Sequence, residues 1–151
     1  MQSARIWFRQ PHPSIALTNV DTFLNELGAT TEETEWSLGT FVVPQIYVIQ
    51  PVPFLIQLNT DDYVVEEAKE FSELGSVPDN LSEKLSSCDA RLEIGDVSEN
   101  SVIYGREITA FAGWTGIDPG HPELQKLLRA LASKLDGIFE DNVNGTFWSD
   151  K

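Results

Sequence analysis

Apolar positions along the chain change period several times, and each change marks an element. Between Ala4 and Gln10, Ile6 and Phe8 alternate with Arg5, Trp7 and Arg9, the two-residue period of a strand buried on one face. Pro11 and Pro13 end it. A helix follows: Thr18 or Asn19 can cap it, Val20, Phe23, Leu24 and Leu27 recur at helical spacing, and Gly28 supplies a left-handed stop. Residues 29–37 are rich in Thr and Glu around one large apolar side chain, Trp36, and read as a loop or a ragged strand start. The uncharged stretch from Phe41 to Thr60 divides at its prolines into two strands, Thr40 to Val43 or on to Ile49, and Phe54 to Asn59.

A second helix is predicted from Asp61 or Asp62 to about Leu74, with Val64, Ala68, Phe71 and the nearby Val65 and Leu74 inward and Gly75 as its stop. A short helix, Leu81 to Ser86, comes after Pro78. The strand Ala90 to Asp96 sets Leu92 and Ile94 inward against Arg91 and Glu93 outward. The turn-rich DVSENS leads from it to a long extended segment, Val102 to Trp114, with Gly105 as a bulge, and the two strands are expected to form a hairpin. The last helix is the clearest element, because Pro122 fits its first turn, Glu123 suits the positive end of its dipole, and Leu124, Leu127, Leu128, Leu131 and Leu135 form its stripe. Gly137 closes it. Ile138 to Val143 and Thr146 to Trp148 then flank Asn144-Gly145, a pair suited to the type I′ turn of a hairpin. This order predicts a single α+β domain over residues 1–151: an antiparallel or mixed sheet with about three helices packed on one face, arranged as an elaborated ferredoxin-like sandwich.

Charge narrows the function. The 151 residues carry 24 Asp and Glu against 10 Lys and Arg, a formal charge of −14. No Lys or Arg lies between Arg9 and Lys69, a stretch that holds nine acids. Such a surface repels a phosphate polymer, because nucleic-acid affinity comes from Lys and Arg displacing counterions, so no nucleic-acid partner is expected. A basic protein would be steered towards it. The single Cys88 allows no internal disulfide, and the opening residues lack the apolar run of a secretory signal, so a cytoplasmic protein is expected. Pro44, Pro51 and Pro53, with Gln45, Gln50 and Gln57, make the long uncharged stretch unsuited to a membrane.

Motifs that carry chemistry are sparse. Neither the spaced glycines of a dinucleotide fold nor a Gly-rich loop ending in Lys-Ser/Thr occurs. One Cys with His12 and His121, far apart in sequence, makes no zinc signature, and no metal or other cofactor is expected. Cys88 with His121 as nucleophile and base is a pairing that any protein with one Cys and a His leaves open. His121 stands at the start of the last helix, where capping is the plain reading. The run before it ends a strand beside that helix start, so Trp114, Asp118 and His121 are candidates for the mouth of an aromatic-lined small-molecule site.

Two acidic segments stand out. On the second helix Asp62, Glu66, Glu70 and Glu73 share one face. Such a row serves as a solvated face, as a contact for a basic protein or, where ligands converge, as a divalent-cation site. Glu32, Glu33 and Glu35 around Trp36 have the composition of a binding anchor with a charged rim.

Charge and missing motifs together point to a non-enzymatic protein-binding domain for a basic partner, such as an inhibitor of a cationic enzyme or toxin. Its expected contacts are Glu32, Glu33, Glu35, Trp36, Asp62, Glu66 and Glu70. In size and acidity the chain resembles bacterial immunity proteins that block toxic nucleases, a likeness of composition that reaches no particular residue. The alternative is a small-molecule-binding or catalytic domain built on Trp114, Asp118 and His121.

Overall fold

The computed structural model describes residues 4–38, 40–95, 98–103, 106–109, 120–142 and 144–150. In chain order the elements are β1 (Ala4–Phe8), α1 (Leu17–Glu26), β2 (Thr30–Leu38), β3 (Phe41–Gln50), β4 (Phe54–Asn59), α2 (Asp62–Ser72), α3 (Asp79–Ser86), β5 (Ala90–Gly95), β6 (Ser98–Ile103), β7 (Arg106–Thr109), α4 (Pro122–Lys134), β8 (Ile138–Asp141) and β9 (Thr146–Trp148). Seven strands form one antiparallel sheet in the order β2-β3-β4-β5-β1-β8-β9, and β6 pairs with β7. No helix among the described residues is long and apolar enough to cross a membrane.

The central four strands, β4-β5-β1-β8, have the order and antiparallel pairing of a ferredoxin-like sandwich, with α1 following β1 and α4 leading into β8. The β2–β3 hairpin extends the sheet beyond β4, and β9 extends it beyond β8. The one-face expectation holds for α1 and α4, which pack Val20, Leu24, Leu124, Leu127, Leu128 and Leu131 onto Ile6, Phe8, Ile56, Leu92 and Phe139. The other two helices, both inserted between β4 and β5, cover the opposite face, where Val64, Ala68, Leu81 and Leu85 cluster with Trp7 and Ile138. Those two sheet residues give the second face its own apolar ground. β1 is therefore buried on both sides rather than one.

Several local expectations change. Leu74, expected inward on the second helix, lies past the C-cap of α2 and is 48% exposed. Residues 29–37, read as a loop or a ragged strand start, take the second course and belong largely to β2, because a nine-residue pairing with β3 supplies ladder bonds that a polar Thr/Glu segment can use at a sheet edge. Pro44 is accommodated in the part of β3 that pairs with β2 alone, since β3 meets β4 only from Ile46 to Val48. β5 makes no hairpin with the segment after it. It lies between β4 and β1, and residues within 98–109 pair with one another instead. Gly105 lies outside the described residues. Gly28 takes the left-handed stop of α1 (φ 92°), but after α4 that conformation falls to Asp136 (φ 50°). Gly137 answers a different need: a Cβ there would meet the Trp7 carbonyl oxygen at 2.5 Å. The terminal hairpin forms as predicted, but its innermost pair is Asp141 with Thr146, with Gly145 at φ 67° and its N–H donating to the Asp141 carbonyl, so the connection is longer than a two-residue type I′ turn.

Candidate functional site

Beneath α2 the sheet is polar. Directly paired positions on β8, β1, β5 and β4 line up Glu140, Arg5, Glu93 and Gln57 in one row, beside a second row of Ile138, Trp7, Arg91 and Asn59. Arg5 bridges its two neighbours, with Nε 3.5 Å from Glu93 Oε2 and Nη1 3.4 Å from Glu140 Oε1. The Trp7 indole donates to Glu140 Oε1 at 2.8 Å. Arg91 pairs with Glu93 on its own strand and with Glu67 of α2 at 2.7 Å, so the network ties the helix to the sheet. Burial alone would pull the Arg91 pKa down, but the Glu93 and Glu67 carboxylates outweigh it and hold the guanidinium above its ordinary value.

Arg91 and Glu93, expected to face water, are 4% and 3% exposed. Alternation along a strand separates its two sides, but it does not separate water from a helix laid over a polar row.

The network also fixes an aromatic side chain on the helix above it. The Arg91 guanidinium lies 5.7 Å from the Tyr63 ring centroid, and the Asn59 amide donates to both the Tyr63 hydroxyl and Glu93. Tyr63 is nonetheless 45% exposed. Around it the outer face of α2 carries the expected row: Asp62, Glu66, Glu70 and Glu73 are all exposed, whereas Glu67 turns in to Arg91. The row follows from local sequence, because Val64 and Ala68 must face the sheet and the acids fall on the opposite side. At the start of α2 a cleft of about 580 Å³, lined in part by Gln10, Leu58, Asp61, Asp62 and Asp89, carries the negative surface past the helix end.

The acids of β2 occupy a different place. Glu33 is paired with Ile46, which belongs to the α1/α4 side, and Glu35 follows it on that side; both are exposed. Glu32, half-buried, pairs with Tyr47 and takes the alternate side, and Trp36 has its register position opposite Val43. Glu33 and Glu35 thus stand across the sheet plane from α2, whereas Glu32 takes the side of the sheet that α2 covers.

Of the alternative site, Trp114 and Asp118 lie outside the described residues. His121 caps α4, its Nδ1 accepting the Glu123 backbone N–H at 3.2 Å. A groove of about 260 Å³ runs nearby between the end of α1 and the first turns of α4, past Gly28, Pro51, Glu123 and Lys126. Cys88 is buried on the α2/α3 side, donates to the Lys84 carbonyl, and has its pKa pushed up to about 12, chiefly by burial. His121 starts a helix on the other face, so the two do not form a nucleophile and base pair. Among the described residues no three His, Cys, Asp or Glu side chains converge as metal ligands.

Sequence reasoning passed over Tyr63, Asp89, the half-buried Arg5 and the buried Arg91 and Glu140. The readable signal was the pair of strands that each carry charge on the face opposite their apolar residues, Arg5 in one and Arg91 with Glu93 in the other. No protein-family model, curated protein or solved structure matches the chain.

Proposed function

We propose that this chain is an acidic protein-binding domain whose α2 face holds a basic protein partner, in the manner of an inhibitor or immunity-type protein for a cationic enzyme. The observation that carries the reading is the outer face of α2, where Asp62, Glu66 and Glu70 are exposed beside a Tyr63 ring 45% open to solvent. Carboxylates of one sign steer a basic partner into contact. A held aromatic ring supplies contact area with little entropy to lose. Asp61 and Asp89 at the adjoining cleft lengthen the same negative surface. The partner is assigned to α2 and not to β2, because Glu33 and Glu35 stand on the other side of the sheet.

Fluorescence anisotropy with a labelled Lys/Arg-rich peptide, measured over a salt series, tests this. The triple variant D62N/E66Q/E70Q should lose about tenfold in affinity and flatten the salt dependence. E33Q/E35Q and E26Q/E123Q, which remove charge elsewhere, should bind nearly as the wild type does. Equal losses in all three variants would reduce the effect to net charge and remove the α2 assignment.

A further inference from the structure

We infer that the partner segment received by α2 is a basic amphipathic helix, seated on two apolar points at the two ends of α2; this rests on the protein-binding reading above. Tyr63 and Leu74 are 45% and 48% exposed, and with Val42 on β3 they are the large apolar side chains most open to solvent among the described residues. Tyr63 lies in the first turn of α2, and Leu74 lies in the turn just after its C-cap, where its N–H donates to the Phe71 carbonyl. Eleven positions separate the two, so they bracket the helix at its two ends. Exposed Glu66 and Glu70 fall between them at helical spacing. The stripe therefore reads apolar, acid, acid, apolar.

That pattern is complemented by a helix with a leucine-type residue at each end and Lys or Arg between, laid along α2 with ridges in grooves. Charge selects against the other ready occupant, a second copy of this chain, because α2 against α2 would set Glu66 and Glu70 beside like charges. The buried network prepares one end of the stripe. Tyr63 is backed by Arg91, which is itself held by Glu67, Glu93 and the Trp7 ring. A ring fixed before binding has less freedom to lose, which concentrates affinity at that point.

Two synthetic Ala-based helical peptides of equal composition, about 18 residues long, test the inference. One places two Leu eleven positions apart with Lys between them on the same face, and the other moves both Leu to the opposite face. Wild type should bind the first about tenfold more tightly, the usual weight of a lost anchor. Y63A and L74S, checked for native circular dichroism, should abolish the difference, and Y63F should keep it. Equal affinity of wild type for both peptides would overturn helix docking while leaving the acidic-surface reading intact. Binding of neither would remove both. Sedimentation showing a dimer that L74E dissociates would assign the stripe to self-association and overturn the inference too.

Discussion

The guanidinium of Arg91 lies 4.7 Å from the centroid of the Trp7 indole, directly across the β1–β5 pairing, with a carboxylate on each side of it. A cation so enclosed matters chiefly for what its loss would strand. Arg91→Ala leaves Glu93, 3% exposed, without its nearest cation and releases Glu67 from the sheet, so a loss of about 3–5 kcal/mol is expected in urea unfolding. Lys at this position should recover only part of that, since an ammonium neither forks nor stacks. Replacing the pair together, as R91M/E93L, should recover most of it.

Gly137→Ala should destabilise the chain by about 1–3 kcal/mol through overpacking. The added methyl meets the Trp7 carbonyl oxygen at 2.5 Å and Ile6 Cγ2 and Phe8 Cβ at 3.3 Å. Backbone on β1 cannot yield without disturbing both of its neighbours, β5 and β8. Thermal unfolding of the variant checks this, and a melting temperature equal to that of wild type would refute the close approach.

His121 serves α4 as a cap, so His121→Ala should cost about 1 kcal/mol, whereas Asn or Ser, which can also accept the Glu123 N–H, should retain stability. Chemical denaturation of the three variants orders them. Equal losses in all three would mean that the imidazole contributes more than its acceptor nitrogen.

Cys88 links stability to alkaline pH. Its folded-state pKa is about 12 against an ordinary 9.0. Between those values the unfolded chain loses the thiol proton and the folded chain keeps it, so the stabilisation is complete below the unfolded value and falls as pH rises through the window. Cys88→Ala should therefore show a shallower decline in stability from pH 9 to 12 than wild type, measured by urea unfolding at each pH.

What could be read in the sequence divides along physical lines. The stripes of α1 and α4, the alternation in β1 and the order of elements are local patterns, and they suffice for an α+β fold built on a ferredoxin-like core. β2 reads only as a loop or a ragged strand start because its Thr and Glu residues have no apolar period, and the pairing with β3 is what makes them a strand. The outer acids of α2 were legible because Val64 and Ala68 orient the helix. Their separation from Glu33 and Glu35 was not, since it depends on which side of a distant edge strand each residue takes. Tyr63 gave no sign of its role, because what positions it is Arg91, a residue that alternation alone assigned to solvent.

Backbone amide chemical-shift mapping tests the central claim most directly, with ¹⁵N-labelled protein titrated with the Leu-matched basic peptide. Shifts concentrated on Asp62, Tyr63, Glu66, Glu70 and Leu74, with β2 unmoved, are the expected result. Shifts centred on Glu32 to Glu35, or spread over exposed acids throughout the chain, would contradict the assignment of a basic partner to α2.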